Sequence, residues 1–494
     1  MKNLKLSYRI KALLIISLVA ILSNRPASAG NDEYSQWLQQ QTQSFQEYKD
    51  ARDKAFTQFL KSHWTAVELL KGKQPDQVPK PVTMPVAKII EPAPPGKNKP
   101  APLVLMPLPD TKTIEPTIPA PMEKVRKFGQ KISVDYFGQK IPFYYDRELR
   151  VALGNHLSLI NKNVISDYWS QLSKTRYESL LKQLNAHKKA LKLTDWAYAA
   201  LVHKLGIRIA QSSRNAGVLT SWFLLAKTGY QAKVAYNSSR VYLLMPSKQE
   251  MFEVPYFTLS NKRYYVVNFD GSSESLGQVF TYAGDYPDTT HKLDMKVTKR
   301  VAASDAMQNR HLSFKFEGKQ YNIEASYDRG RIDFFRSYPQ LALPMYFSAG
   351  VDPAAASPLL KQLKIDMQDM SETQAVNFLL RFVQVSLKYE TDEQQFGKEN
   401  YLFPEETLYY PYSDCEDRAI LFSWLVKSLL GLDVIGLDYP GHIAAAVHFS
   451  FDVKGDNVVY QGKKYTVTDP TYINANAGMT MPKYKNTKPT LIIY

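Results

Sequence analysis

The feature that most constrains the fold of this 494-residue chain is a module that occurs twice. The run "ISVDYFGQKIPFYYDR" (132–147) is similar to "LSFKFEGKQYNIEASYDR" (312–329), and each has two strand-like stretches around a glycine turn. The run "SRNAGVLTSWFLLAKTG" (213–229) aligns without gaps with "CEDRAILFSWLVKSLLG" (415–431). Because the matches follow one order with near-constant offsets, the sequence predicts a duplicated module rather than two unrelated domains.

The mixture of strand-like and helix-like segments in each copy predicts an α+β fold. We assign residues 123–300 to the first module and residues 301–494 to the second. Residues 30–73 precede the two modules and form an amphipathic helical segment. Residues 74–122 are rich in proline and form a linker between this segment and the first module.

The N-terminal segment 30–73 has an apolar repeat that is typical of a long helix. Tyr34, Phe45 and Phe56 follow one another at intervals of eleven residues, a spacing that keeps one apolar stripe along a helix. We expect this stripe to pack on the protein itself or to mediate self-association, and a partner-binding arm is the alternative.

The first 29 residues are typical of a signal peptide. Basic residues precede the apolar run 12–22, and Ala27-Ser28-Ala29 follows as a cleavage site. No later stretch contains the roughly 18 consecutive apolar residues of a spanning helix. We therefore expect a periplasmic or extracellular protein without a transmembrane segment in its mature form, and an uncleaved N-terminal anchor is the alternative.

The charge and the motifs exclude several classes of function. The formal net charge of +15 is dispersed along the chain, so it indicates solubility or an affinity for anionic envelope components, and there is no nucleic-acid-binding motif. One cysteine with widely spaced histidines does not form a zinc ligand set, and phosphate-binding or dinucleotide fingerprints are absent from the sequence. We predict no cofactor and no metal.

The single cysteine, Cys415, lies where a helix is expected to begin. Ser413 and Glu416 form an S-x-x-E capping pattern ahead of the apolar run 419–430. A thiol in the first turn of a helix faces free N–H groups and the positive end of the helix dipole, which lower its pKa. An unpaired thiol in an exported chain is therefore a candidate nucleophile, and a small buried core residue is the alternative.

Two downstream residues complete a catalytic order. His442 begins the strand-like run "HIAAAVHFSF", and Asp469 follows the strand-like run "KYTVT". A cysteine nucleophile needs a histidine base, and the base needs an orienting carboxylate. His448 is a rival base on the same strand, and we expect it to be structural because it lies too far along the strand to serve the same thiolate.

With these residues, the second module resembles the transglutaminase-like superfamily of papain-like folds. The resemblance covers residues 373–472 and depends on Cys415 in "DCEDRA", His442 in "GHIAAAV" and Asp469 in "VTDPTY". It implies two tandem modules in which the helix that carries the nucleophile position packs on an antiparallel sheet. It also implies that the thiolate attacks a carboxamide or peptide carbonyl, with His442 moving the proton and Asp469 orienting the ring. An alanine follows His442 by two positions where the family usually has an aromatic residue.

The first copy differs at all three positions of the triad. Ser213, Arg240 and Asn268 align with the cysteine, the histidine and the aspartate. A serine opposite an arginine has no base, so we expect this copy to be catalytically silent.

The second copy also carries an additional stretch before its nucleophile, 392–414, which is rich in tyrosine and phenylalanine. We expect it to line the substrate cleft, with Gln394 or Gln395 as an oxyanion donor beside the backbone N–H of Cys415.

The sequence as a whole favours an exported cysteine hydrolase of the transglutaminase-like type that acts on a peptide or protein substrate. Transfer of the acyl group to an amine, which crosslinks proteins, is the first alternative. A non-catalytic binding or scaffolding protein of the cell envelope is the second.

Overall fold

The structure is a computed structural model, and it describes residues 30–75, 80–88, 103–108, 129–153, 159–211, 213–269, 277–297 and 307–494. The expected signal peptide lies outside the described residues. The chain divides after Gln58 into two units. The described part of the first unit is the beginning of helix α1 (Gly30–Ser62), and the second unit runs from Phe59 to Tyr494.

The first half of the second unit, described within 129–297 together with the strand Thr65–Glu68, contains a hairpin, four helices and a sheet. The hairpin consists of β2 (Gln130–Tyr136) and β3 (Gln139–Tyr145). The helices are α2 (Lys162–Ser173), α3 (Glu178–Ala190), α4 (Asp195–Ile209) and α5 (Arg214–Lys227). The strands of the sheet are β1 (Thr65–Glu68), β4 (Lys233–Tyr236), β5 (Val241–Pro246), β6 (Tyr256–Leu259), β7 (Lys262–Val267) and β8 (Gln278–Thr281).

The second half, residues 307–494, contains the same kinds of element. Its hairpin consists of β9 (Met307–Phe316) and β10 (Lys319–Asp328). The helices are α6 (Arg329–Phe335), α7 (Leu343–Phe347), α8 (Pro353–Asp366), α9 (Glu372–Ser386), α10 (Asp392–Phe396), α11 (Pro404–Tyr409) and α12 (Cys415–Leu430). The remaining strands are β11 (Lys388–Tyr389), β12 (Tyr412–Ser413), β13 (Asp433–Tyr439), β14 (His442–His448), β15 (Asn457–Tyr460), β16 (Lys463–Thr468) and β17 (Thr490–Ile492).

The main sheets of the two halves have corresponding strand orders. The order in the first half is β1-β8-β4-β5-β7-β6, and in the second half it is β17-β13-β14-β16-β15. Without β1, each order matches the other strand for strand, and the strand pairs in both sheets are antiparallel. The predicted α+β class with antiparallel sheets is therefore confirmed.

Helix α12 lies at the centre of the second half. All but two of its residues, Lys427 and Ser428, are buried, because the helix packs between the sheet and helix α9. A helix that is covered on every side needs little amphipathic character, and its sequence is accordingly apolar around most of its circumference. Its apolar side chains join those of the β9–β10 hairpin and of strand β14 in one core. This packing fixes the position of the first turn of α12.

The end of the N-terminal helix differs from that expected from the sequence. The N-terminal helix ends at Ser62 rather than near residue 73, and Thr65–Glu68 pairs with β8 as an edge strand of the first sheet. The β-branched Thr65 and Val67 favour a strand, and Trp64 packs edge-on against Tyr236 and Tyr282 where the chain leaves the helix.

The described pieces of the proline-rich segment are packed rather than free. Leu103, Leu105 and Leu108 contact the core of the second half, and the N–H of Met106 donates to the carbonyl of Leu429 at 2.9 Å. The described residues 103–108 are therefore packed on the second half, whereas the sequence predicts a linker. None of the described helices has the length and apolar character needed to cross a membrane.

Candidate active site

Helix α12 begins at Cys415, with Asp414 as its N-cap. The capping pair is thus one residue later than the S-x-x-E pattern predicts. The N–H of Asp414 donates to Asp417 Oδ2 at 3.4 Å, and the other oxygen of Asp417 accepts from the N–H of Leu402 at 2.9 Å. The side chain of Glu416 is therefore free to point toward the thiol.

The thiol of Cys415 is completely buried. Its Sγ donates to Glu416 Oε2 at 3.2 Å and accepts from the N–H of Ile443 at 3.4 Å. Burial, followed by the negative charges of Glu416 and Asp414, raises the pKa of Cys415 well above its usual value, although Lys80 and the Ile443 N–H act in the opposite direction. The direction is opposite to that expected from the helix dipole, because the adjacent carboxylates and the loss of water outweigh the dipole.

The imidazole of His442 is paired with Asp469. His442 Nε2 lies 2.8 Å from Asp469 Oδ2, and both side chains are buried. Asp469 Oδ1 accepts from the N–H groups of Thr471 at 2.9 Å and Tyr472 at 3.1 Å, so the carboxylate is held from both sides. A ring that donates through Nε2 has its lone pair at Nδ1, and this atom is buried without a hydrogen-bond partner among the described residues.

The register of the sheet brings the three residues together. His442 is the first residue of β14, Asp469 directly follows β16, and these two strands are neighbours. Ile443, whose N–H contacts the sulfur of Cys415, is the residue next to His442. The sulfur of Cys415 therefore contacts the backbone of the residue that follows the histidine, and its own proton is donated to Glu416 in this state.

Two neighbours of the pair are not evident from the sequence. The ring of Tyr484 stacks on His442 with a centroid distance of 5.2 Å and an interplanar angle of 10°. The amide of Gln384 donates to the carbonyl of Asp469 at 3.0 Å. Tyr484 belongs to no recognisable sequence motif. Gln384 lies inside a helix, and the amphipathic pattern of that helix does not distinguish Gln384 from its other polar residues. Both residues restrict the movement of the His442–Asp469 pair.

His448 lies at the opposite end of strand β14 from His442. Its Nδ1 is 2.9 Å from the carbonyl oxygen of Lys464, and the side chain is partly buried. This position agrees with the structural role expected for it.

The additional stretch before the nucleophile folds as helices α10 and α11. It is closed at its base by the short parallel pair β11–β12. Its aromatic residues Phe396, Tyr401 and Tyr410 line a pocket of about 430 Å³, together with residues from 335–346.

The two glutamines proposed as oxyanion donors are engaged elsewhere. Gln394 Oε1 accepts from the N–H and hydroxyl of Thr391, each at 3.1 Å. The side chain of Gln395 bridges the N–H and the carbonyl of Tyr412 at 3.2 and 3.3 Å. Neither glutamine has a hydrogen bond to Cys415 among those of the described residues.

Four carboxylates form an acidic pocket beside the thiol, and the side chain of Lys80 fills it. The pocket consists of Asp392, Glu399, Asp414 and Glu416. The ammonium Nζ contacts Glu399 and Glu416, lies 2.9 Å from Asp414 Oδ2 and is 3.9 Å from Asp392 Oδ2.

The charges in this pocket shift one another's pKa values. Burial lowers the pKa of Lys80, but the combined effect of the surrounding acidic groups, with Glu416 and Asp414 foremost, outweighs burial and raises it well above the usual value. Burial and the charge of Glu416 raise the pKa of Asp414 to about 8. Burial and Asp414 also raise the pKa of Asp392.

These four carboxylates, together with Asp417, include two donor sets of the kind that a hard cation would need. The oxygens of Asp392, Asp414 and Asp417 lie within 4.8 Å of one another, as do those of Asp392, Glu399 and Glu416. Oxygen-only sets of this kind suit Ca²⁺ or Mg²⁺. The ammonium group of Lys80 lies among these oxygens.

Lys80 belongs to an extended segment, Lys80–Lys88, which we call the strap. The hydroxyl of Tyr389 donates to the carbonyl of Pro81 at 2.6 Å, and a guanidinium N–H of Arg418 contacts Met84 Sδ at 2.8 Å. The N–H of Ala87 donates to the carbonyl of Ile473 at 2.7 Å, and the N–H of Ile473 donates to the carbonyl of Pro85 at 3.0 Å. The strap thus extends from the carboxylates beside Cys415 to the loop that follows Asp469.

In the first half, the aligned residues occupy the corresponding places. Ser213 is the N-cap of α5, Arg240 precedes β5 and Asn268 follows β7. A cleft of about 600 Å³ borders this region and is lined by Asn268, Arg214 and other side chains. Of the three aligned residues, Asn268 is the one that lines this cleft.

Comparison of the chain with protein families, with curated proteins and with solved structures gave no match.

Proposed function

We propose that this protein is an exported cysteine hydrolase of the transglutaminase-like type, which cleaves peptide or amide bonds through Cys415, His442 and Asp469. The observation that carries the proposal is the contact between the Cys415 sulfur and the N–H of Ile443, next to a histidine paired at 2.8 Å with a buried aspartate. A sulfur nucleophile, a base with an open lone pair and an orienting carboxylate are the components of this chemistry.

The proposed reaction starts when the thiol proton moves to His442 Nδ1. The sulfur then attacks the carbonyl carbon of the substrate, and the negative charge develops on the carbonyl oxygen. Collapse of this intermediate breaks the C–N bond, and the imidazolium gives its proton to the leaving amine. Water, deprotonated by His442, attacks the thioester and releases the carboxylic acid and the thiol.

The oxyanion is proposed to be stabilised at the beginning of helix α12. The first N–H groups of a helix have no partner within the helix, and that of Cys415 lies beside the reacting sulfur. The side chain of Asp469 is held by two backbone N–H groups, so it can stabilise the imidazolium without taking its proton.

The corresponding strand orders of the two sheets support the proposal that the halves are tandem copies of one module. In this proposal the first copy keeps the fold and has lost the chemistry, because Ser213 and Arg240 replace the nucleophile and the base. The apolar run and the A-x-A site within residues 1–29 support export to the periplasm or the medium.

The strap has to move before a substrate can reach the thiol. Cys415 is fully buried in the described state, and its proton is donated to Glu416 rather than to His442. We therefore assign this state to the resting enzyme. Displacement of the strap would admit water and substrate and free the thiol for proton transfer to the imidazole.

The proposal is tested with the full chain carrying Lys80→Ala, which weakens the strap, and with Lys80→Ala/Cys415→Ala as the control. The substrate is an unfolded protein such as casein, and the assay counts new α-amino groups. We expect hydrolysis only when Cys415 is present. Absence of hydrolysis by the Lys80→Ala chain, together with incorporation of a labelled amine into the casein, would favour acyl transfer and contradict the proposal.

A further inference from the structure

We infer that the acidic pocket of Asp392, Glu399, Asp414 and Glu416 is the subsite that binds a primary ammonium group of the substrate. This inference rests on the proposed function and adds a substrate class to it. The substrate would be a peptide or amide with an ammonium group on a flexible alkyl chain, as in a lysine side chain, close to the scissile carbonyl. In the resting state the side chain of Lys80 occupies the place of the substrate's ammonium group.

The contacts in the pocket match an ammonium group. An ammonium has three N–H donors, and three carboxylates, those of Glu399, Asp414 and Glu416, lie within hydrogen-bond distance of Lys80 Nζ. The ring of Tyr401 adds a cation–π contact with a distance of 5.6 Å from Nζ to the ring centroid. A guanidinium prefers two parallel bonds to one carboxylate, so this convergence on one nitrogen favours a lysine-type group.

The carboxylates of the pocket are positioned by residues outside the strap. Asp392 Oδ2 accepts from the N–H of Asn400 at 2.7 Å, and Asp414 is held by its place as the N-cap of α12. Asp414 Oδ1 is buried and has no hydrogen-bond partner among the described residues. Four carboxyl groups face the single ammonium of Lys80, and burial and mutual repulsion raise the pKa values of Asp392 and Asp414, so protons as well as the cation reduce the negative charge of the cluster.

A buried ion cluster elsewhere in the second half shows the contrast. The guanidinium of Arg331 is 2.7 Å from Asp352 and 2.9 Å from Glu405, and all three residues belong to the packed frame of helices. The acidic pocket instead takes its cation from the strap, which lies more than 300 residues earlier in the chain. A cation that comes from outside the frame can be replaced by one from a substrate.

The pocket lies directly beside the reacting sulfur. Glu416 links the two, because its Oε2 accepts from Cys415 Sγ while its Oε1 contacts Lys80 Nζ. A ligand ammonium held at Glu416 would therefore bring the backbone of its own chain close to the thiol. The strap has further features of a bound peptide, since residues 85–87 pair with Ile473 through backbone hydrogen bonds that any sequence can form.

The pocket is suited to recognition and not to supplying an amine nucleophile. An amine attacks a thioester only with its lone pair free, and four carboxylates keep a bound amine protonated, as the raised pKa of Lys80 indicates. Water rather than the bound group would then complete the reaction.

The test uses the full chain with Lys80→Ala, which empties the pocket, and measures its melting midpoint against the concentration of n-butylammonium chloride. A ligand that binds only the folded state raises the midpoint in a saturable manner. We expect a saturable rise for Lys80→Ala and none for the wild-type chain, whose pocket is filled. Lys88→Ala is the matched control, because it removes an exposed lysine of the same strap and should behave as wild type.

Three further titrations define the ligand class. Tetramethylammonium has the charge without N–H donors and n-butanol has the alkyl chain without the charge, so neither should reproduce the effect. An equal rise with either of them, or with the wild-type chain, would overturn the inference. A saturable rise with CaCl₂ and none with butylammonium would overturn it as well, in favour of a metal site. If Lys80→Ala does not fold, Lys80→Ala/Glu399→Gln removes one carboxylate with the cation and is titrated in its place.

The readout requires no turnover, so it separates the subsite from the catalytic proposal. Butylammonium binding by a chain that hydrolyses nothing would contradict the hydrolase and leave the ammonium site. Hydrolysis of casein without butylammonium binding would contradict the subsite and leave the hydrolase.

Discussion

Replacing Lys80 by alanine should make Cys415 much more reactive toward iodoacetamide. The thiol is completely buried, and in the proposed account opening of the strap is the event that exposes it to the reagent. Lys80 is the only charged residue of the strap that contacts the acidic pocket, and its side chain is 9% exposed. Without it, the strap keeps its backbone pairing with Ile473 and its contact with Tyr389 but loses the ionic contacts.

The size of the effect follows from the burial of these charges. Removing one partner of a buried ion pair costs about 3–5 kcal/mol. The lower value is appropriate because Asp414, with its pKa raised to about 8, is largely protonated at pH 7.5 and adds little to the charge that removal of the cation leaves unpaired. About 3 kcal/mol corresponds to about a hundredfold larger population of the open state, and the alkylation rate should rise by the same factor.

The assay follows the mass of the intact chain during alkylation at pH 7.5 under pseudo-first-order conditions. Lys88→Ala should react at the wild-type rate, because Lys88 is exposed at the far end of the strap. Loss of the Lys80 charge by itself raises the pKa of the thiol, which would slow the reaction, so an acceleration can come only from opening. Equal rates for Lys80→Ala and wild type would refute the account of the strap.

Three further changes have defined outcomes. Gln395→Ala in the Lys80→Ala background should leave hydrolysis within about threefold, because the amide is bonded to Tyr412, whereas loss of an oxyanion donor costs about a hundredfold. Ser213→Ala should leave hydrolysis unchanged, and a large loss would contradict a silent first copy. Burial raises the pKa of Glu406 to about 8, so the folded state holds a proton that the unfolded state releases at lower pH, and stability falls as the pH rises toward 8. Glu406→Gln should reduce this fall in melting midpoint between pH 5 and pH 9, and an unchanged pH profile would contradict it.

The sequence predicts the residues of the candidate triad because each has a local signal. Cys415 is placed by a helix start and His442 and Asp469 by the ends of strands, and such boundaries depend mainly on neighbouring residues. The structure then brings the three positions to one end of neighbouring elements. Their chemical roles stay predictions until activity is measured.

The strap and the thiol's surroundings could not be predicted in the same way. Lys80 lies in a proline-rich stretch without periodicity, and its partners are more than 300 residues away in the chain. The expected low pKa of Cys415 relied on the helix dipole alone, whereas burial and the carboxylate of Glu416 depend on tertiary packing. Residues 65–68, for which the sequence predicts helix, form a strand instead, because β8 of the sheet pairs with Thr65–Glu68.

The central claim, that His442 activates Cys415, is tested most directly by alkylation at pH 6 with the strap weakened. The comparison is between the full chain with Lys80→Ala and the same chain with Lys80→Ala/His442→Ala. A histidine that accepts the thiol proton keeps a reactive thiolate at this pH, so the first chain should react at least about tenfold faster than the second. Equal rates in the two chains would contradict activation by His442 and with it the proposed triad.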